Sequence, residues 1–218
     1  MDEHTTPRST STPQPVAGLL LAAGRGERFH AAGGEDKLTA RLPDGRIVVL
    51  EALRRLQAAL SPCGVGSVVA VVRAGREDLA DLLRAHGAAV VVSARAAQGM
   101  GASLADGVAG WPDGRAVLVA LGDMPAIAPT TLAAVAEALR GGASIVRPRH
   151  RGQGGHPVGF GPEWLPALRA LEGDEGARAV VQHHRDRVQW LEVPDDPGCL
   201  LDVDTPADLA RNAPLALR

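Results

Sequence analysis

Short apolar runs, bounded by glycine and proline, alternate with stretches of helical spacing along most of the chain. Val16 to Leu21 is an apolar run that ends in Ala22-Ala23-Gly24, the pattern of a buried strand feeding a glycine loop. Val48 to Leu60 places Leu50, Leu53, Leu56 and Leu60 on one helical face. Val65 to Val72 is a β-branched run that predicts a strand covered on both faces, and Ala88 to Val92 predicts another. Glu77 to Ala85 predicts a helix stopped near Gly87, and Ser103 to Val108 the start of another. Ala116 to Leu121 predicts a strand followed at once by Gly122-Asp123-Met124-Pro125. Pro129 to Leu139 predicts a helix with proline in its first turn, and Ala143 to Val146 a short strand.

The remainder is less regular. Val158 to Phe160 and Val188 to Val193 predict strands, and Pro162 to Leu171 and Asp174 to His183 predict helices. Thr205-Pro206-Ala207-Asp208 predicts a helix start, with Thr as N-cap, Pro at the first position and Asp at the third. Strands alternating with helices imply an α/β fold with a parallel, doubly wound sheet. One domain is expected over residues 16–212. Residues 1–15, nine of them Ser, Thr or Pro, read as a flexible tail, and 213–218 as a short C-terminal one.

Composition narrows the function. The 218 residues are 45% hydrophobic, enough for a real core, and carry a net charge of -2, so nothing argues for a duplex-binding surface. Aromatics are limited to Phe29, Trp111, Phe160, Trp164 and Trp190, too few for base-stacking platforms. No nucleic-acid partner is expected. The two cysteines, Cys63 and Cys199, form no C-x-x-C pair and read as buried thiols of a reducing compartment. No apolar run reaches the ~18 residues of a membrane span, and Met1 to Pro15 lacks the apolar core of a signal peptide. No membrane partner is expected, and the expected compartment is the cytoplasm.

Five segments carry candidate chemistry. In Leu21-Ala22-Ala23-Gly24-Arg25-Gly26-Glu27-Arg28, glycines let backbone N–H groups face an anion, as in a phosphate cradle. The segment is neither a dinucleotide fingerprint nor a P-loop, because Phe29 stands where a third glycine would and Lys37 precedes Leu38. Lys37 is the single lysine beside 22 arginines. Asp123, directly after a buried strand, suits Mg²⁺, although an Asp there also serves as a turn cap. Asp202 and Asp204 flank one residue, so in extended chain both point to the same side and could complete a metal site with Asp123. Asp204 or Thr205 could equally cap the last helix. Gly99-Met100-Gly101-Ala102-Ser103 opens a helix with backbone able to lie against a flat base. Gly155-His156-Pro157 and Asp174-Glu175-Gly176-Ala177-Arg178 are turn-rich and polar. No Gly-x-Ser-x-Gly, His-Glu-x-x-His or Cys/His pair is present, so acyl transfer and zinc hydrolysis have no support.

The order of these motifs resembles the molybdenum cofactor nucleotidyltransferases, from about Val16 to Ala210. It is closest to the cytidylyltransferase branch, which carries Ala-Ala-Gly in the first loop where guanylyltransferases carry Ala-Gly-Gly. Eight residues between Arg28 and Lys37, His30 after Phe29, and Met124 after Asp123 depart from the usual pattern. The resemblance implies a three-layer α/β/α sheet with one antiparallel strand. It implies that Leu21 to Gly26 with Arg28 wrap the nucleotide phosphates and that Lys37 serves the α-phosphate. It puts Gly99, Met100 and Ser103 near the base, and Asp123 with Asp204 and Asp202 on a metal, Mg²⁺ or alternatively Mn²⁺. It puts Gly155, His156, Pro157, Asp174 and Arg178 on the acceptor side. The implied reaction moves CMP from CTP to the phosphate of molybdopterin, a phosphorylated pterin-type acceptor, with a molybdoenzyme or its chaperone as downstream partner. Two other readings stand beside it: the same chemistry with GTP or another small phosphate acceptor, and a nucleotide-binding chaperone without turnover.

Overall fold

The computed structural model describes residues 14–34, 36–61 and 67–216, with side chains described as far as Asn212. Its strands are β1 (Val16–Ala22), β2 (Val68–Arg73), β3 (Ala89–Ser93), β4 (Ala116–Leu121), β5 (Ile145–His150), β6 (Gln153–Gly154), β7 (Val158–Phe160) and β8 (Val188–Glu192). Its α-helices are α1 (Glu27–Ala31), α2 (Val48–Leu60), α3 (Glu77–Ala85), α4 (Met100–Val108), α5 (Pro129–Arg140), α6 (Leu165–Arg169), α7 (Arg178–His183) and α8 (Pro206–Ala216). One sheet runs β3-β2-β1-β4-β7-β5-β6, with β8 beside β5. Strands β3, β2, β1 and β4 are mutually parallel, β8 is parallel to β5, and β7 runs antiparallel to both β4 and β5. The expected single antiparallel strand is therefore β7, accompanied by the two-residue β6, also antiparallel to β5.

Alternation along each strand supplies two apolar faces, which a sheet covered by helices on both sides requires. Leu20, Ala70 and Leu118 meet α2, α3 and α5 through Leu53, Leu56, Leu79, Leu83, Leu132, Val135 and Leu139. Leu19, Val71, Val117 and Phe160 meet α4, α6 and α7 through Leu104, Val108, Leu165, Leu168 and Val181. The result is three layers, α/β/α.

The departures from the sequence reading have local causes. β3 is an edge strand rather than a covered one, and Val92 is 50% exposed. The predicted helix over 162–171 is a 3₁₀ turn followed by the short α6. The one over 174–183 begins only at Arg178, because Gly173 and Gly176 adopt positive φ and hold the chain in turns. α4 starts at Met100, ahead of Ser103, and α8 continues to Ala216, past the expected domain end. Cys199 is buried, while Cys63, Val65 and residues 1–13 lie outside the described residues. No helix among the described residues is long and apolar enough to cross a membrane.

Candidate active site

From β1 the chain winds outward through β2 and β3, then returns to place β4 on the other side of β1. The carboxyl ends of β1 and β4 thus form a topological switch point, where open α/β sheets hold ligands in a crevice. The loop after β1 supplies Ala23 to Gly26, and the loop after β4 supplies Gly122 to Pro125. Gly24, Arg25 and Gly26 have no protein acceptor for their N–H groups among the described residues.

Lys37 is held in place by its neighbours. Leu38 is 3% exposed in the core, its amide donates to Asp36 Oδ1 at 2.9 Å, and its carbonyl accepts from the Val49 amide at 3.0 Å. Asp36 is in turn gripped by Arg76 at 2.6 Å. The lysine ammonium then donates to Asp123 Oδ2 at 2.6 Å and to Asp204 Oδ1 at 3.1 Å. Burial works to lower the Lys37 pKa, but the two carboxylates outweigh it and the value lies above 10.5.

The acidic loop is as firmly tied. Val203, fully buried with Phe29, Leu42 and Val48, turns inward and leaves Asp202 and Asp204 on the opposite side. The Val203 amide donates to the Asp123 carbonyl at 2.9 Å, joining the two acidic loops. Buried Asp208 accepts from the amides of Asp204 and Thr205 at 3.1 and 2.7 Å and from Thr205 Oγ1 at 2.8 Å, so it caps α8 and fixes Asp204 together. One oxygen each of Asp123, Asp202 and Asp204 lies within 4.8 Å of the others. Asp204 is held below the ordinary aspartate range: burial opposes this, but Lys37 and Arg28 prevail. Arg28 pairs directly with Asp204. Asp202 belongs to an exposed residue, yet its carboxyl is raised, by partial desolvation first and then by repulsion from Asp204 and Asp123.

Two cavities open side by side, the first of them against this cluster. The first, about 500 Å³, is lined by Leu21, Ala23, Gly24, Arg25, Gly26, Arg28, Lys37, Gly99, Met100, Ser103, Asp123, Asp174 and Asp204, among others. This brings together most of the residues singled out for nucleotide and metal. Ala22 does not line this cavity: alternation turns its side chain to the α2 face, where it is 2% exposed in the core, while Leu21 and Ala23 take the cavity side. Asp202 joins the carboxylate cluster but not the cavity wall. Ser103 Oγ donates to the Gly99 carbonyl at 3.1 Å, so part of its hydrogen-bonding capacity is used within α4.

The second cavity, about 560 Å³, shares Leu21, Met100, Leu121 and Asp174 with the first and adds His156 and Arg178. Gly155 and Pro157 do not line it. A Cβ on Gly155 would lie 2.4 Å from the Cys199 carbonyl oxygen, so this glycine permits backbone packing rather than facing a ligand. Desolvation, then Arg147, lowers the His156 pKa to about 4. Its Nδ1 is sealed from solvent, with no hydrogen-bond partner among the described residues. Gly99 and Gly101 have a further role that the sequence did not disclose. A Cβ on either would fall 2.2 Å from Asp174 Oδ1 or 2.6 Å from the Glu172 carbonyl oxygen, and the Gly101 amide donates to Gly173 O at 2.8 Å. The two glycines seat the loop that carries Asp174 between the cavities. Arg76, Asp36 and Arg147 were also missed, since their contacts join distant segments.

Residues 18–188 match the MobA-like NTP transferase domain. The chain belongs to that family. Among solved structures this NTP transferase domain is similar to Rv0371c from Mycobacterium tuberculosis H37Rv, at 28% identity over 94% of this chain and 100% of that one, with TM-score 0.75. The same protein in complex with manganese gives 26% identity over 92% and 98%, with TM-score 0.71. A nucleotidyl transferase from Methanothermobacter thermautotroptrophicus, at 24% identity over 94% and 98%, shares the fold with TM-score 0.76. No curated protein matches.

Proposed function

We propose that this NTP transferase domain moves CMP from CTP to the phosphate of molybdopterin or its metal-loaded form, releasing pyrophosphate. The carrying observation is the meeting of the single lysine with Asp123 and Asp204 at the wall of the first cavity, beside the glycine loop. Such a reaction needs no nucleophilic side chain and no general base, because the acceptor's phosphate oxygen is already ionised. That oxygen attacks the α-phosphorus in line, the bond from the α-phosphorus to the bridging oxygen breaks, and the electron pair leaves with pyrophosphate. The protein's task is to position two polyanions and neutralise developing charge.

Each residue has a share in that task. The N–H groups of Gly24, Arg25 and Gly26 receive the triphosphate. Arg28, with an exposed side chain, turns from Asp204 onto the phosphates. Lys37 offers a mobile point charge to the α-phosphate, where an arginine fork suits a fixed one. Gly99, Met100 and Ser103 lie along the base. His156, Asp174 and Arg178 face the acceptor. The Ala22-Ala23 pair, in place of Ala-Gly, supports CTP over GTP through the resemblance alone.

Asp123, Asp202 and Asp204 fit a divalent cation. Their donors are carboxylate oxygens only, the set that Mg²⁺ and Mn²⁺ prefer, and the Asp202 carboxyl, raised first by partial desolvation and then by Asp204 and Asp123, feels a repulsion that a cation relieves. The manganese complex of Rv0371c supports the same assignment. Bound there, the ion would neutralise charge on the triphosphate and on the leaving pyrophosphate. The test is a calorimetric panel of CTP, GTP, ATP and UTP with and without Mg²⁺. Tightest, metal-dependent binding of CTP is expected. Preference for GTP would move the assignment to guanylyl transfer, and no triphosphate binding would remove it.

A further inference from the structure

Most arginines of the described chain rest on carboxylates, as Arg76 does on Asp36 and Asp78, Arg95 on Asp106 and Arg149 on Glu192. Arg147, Arg178 and Arg185 are different. None of the three forms an ion pair among the described residues, and all three line the second cavity. Asp174 and Glu175 stand on the same wall without pairing to them. Arg147 is half-buried. Its Nε and Nη2 donate to the carbonyls of Gly155 and Gly154, both at 2.9 Å, and its Cζ lies 5.9 Å from the centre of the Trp190 ring. These contacts aim the guanidinium and leave its charge uncompensated. Burial first, and then the nearby Arg178 cation, pull its pKa below the ordinary arginine value. Two facing cations without a counter-ion are a costly arrangement that a bound anion resolves.

The reacting phosphate is not that anion. It has to reach Lys37 and Asp123, which line the first cavity and not the second. The second cavity is also lined by Leu21, Leu104, Val119, Leu121, Val158 and Phe160, apolar side chains suited to a flat or hydrocarbon body, and it shares Leu21 and Leu121 with the first. We propose that Arg147 and Arg178 form a second anion subsite, so that the acceptor is a phosphate monoester carrying a further anionic group away from the reacting phosphate. This rests on the nucleotidyl-transfer reading of the first cavity and specifies its acceptor by charge. Arg185, exposed at the rim of the same chamber, adds to its positive potential.

The test uses the full chain saturated with Mg²⁺ and α,β-methylene CTP, which fills the first cavity without reacting. Hexane-1,6-diol bisphosphate and hexyl monophosphate are then titrated into wild type, Arg147→Met and Arg178→Met. The bisphosphate is expected to bind wild type about tenfold more tightly than the monophosphate, the worth of one charge-assisted contact. That advantage should shrink to less than about twofold in each variant, while both still bind the nucleotide analogue. Arg178 is exposed, so its variant decides the matter should Arg147→Met not fold. Equal binding of the two probes to wild type, or an advantage that survives either folded variant, overturns the subsite and leaves nucleotidyl transfer standing. If the nucleotide analogue itself does not bind, both readings fall.

Discussion

Lys37 Nζ and Asp123 Oδ2 meet at 2.6 Å although 86 residues separate them in sequence. The contact exists because the loop after α1 is pinned at Asp36 and Leu38 while the loop after β4 opens at the same sheet edge. It puts the lone ammonium of the chain beside the acids that fit a metal. Since the Lys37 pKa lies above 10.5, the charge is present at every pH where such an enzyme works. Lys37→Met is therefore expected to lower kcat by about 10²–10³, the usual cost of losing one pre-aimed charge. Lys37→Arg should not restore it, because a planar fork does not replace a compact ammonium. Wild-type kcat in Lys37→Met would show the contact to be structural.

The same ammonium occupies space between two of the three clustered carboxylates. It competes with any cation they bind. Lys37→Met should thus bind Mn²⁺ more tightly than wild type even as turnover falls, whereas Asp123→Asn and Asp204→Asn should each bind it at least about tenfold more weakly. Titration calorimetry of the four proteins reads all of this directly. Unchanged Mn²⁺ affinity in both Asn variants would remove the metal from these residues.

A pH dependence follows from His156. Its pKa is about 4 in the folded protein, against 6.5 in the unfolded chain. Between these values the unfolded state binds the extra proton, so stability falls as pH drops from about 6.5 to about 4, by up to about 3 kcal/mol. The depressed Asp204 carboxyl loses its contribution only below 3.8, outside most of that window. Urea unfolding of wild type and His156→Asn at pH 7 and pH 4.5 should show a smaller loss in the variant. Equal losses would mean that His156 titrates normally.

Glu51 is buried at 2% exposure. It accepts from Arg55 Nε at 2.6 Å, Arg54 Nη2 at 2.8 Å and Arg46 Nη1 at 2.7 Å. Arg55, 1% exposed, also donates to the Ile127 carbonyl at 2.8 Å and so ties α2 to the segment following Asp123. Glu51→Ala removes the carboxylate that buried Arg55 meets at 2.6 Å and breaks a buried ion pair from one side. A loss of about 3–5 kcal/mol is expected in urea unfolding. A loss below about 1 kcal/mol would mean that the segment is held by other contacts.

How far the sequence disclosed these features depends on the range of the interaction. β1, β4, α2 and α3 were legible because period and glycine or proline stops act within a few residues. β3 was misjudged because a valine run looks the same at an edge as at the centre, and only the neighbour count of the sheet distinguishes them. That β1 extends to Ala22 and turns its side chain toward α2 has no local signal, because both faces of the strand are apolar. Lys37 stood out as the single lysine, Asp123 because it follows a buried strand, and Asp204 because it pairs with Asp202 across one residue. The Arg76 grip on Asp36, the Gly101 seat for Gly173 and the unpaired Arg147 all join segments far apart, and their meaning appears only once the sheet brings them together.

The most direct measurement is pyrophosphate release from CTP by the full chain with Mg²⁺ and molybdopterin, compared with Lys37→Met under the same conditions. Nucleotidyl transfer at this site requires release in step with CMP joined to the acceptor, dependent on the metal and lowered by orders of magnitude in the variant. Release that is absent with all four nucleoside triphosphates, or that proceeds undiminished without the Lys37 ammonium, would contradict it.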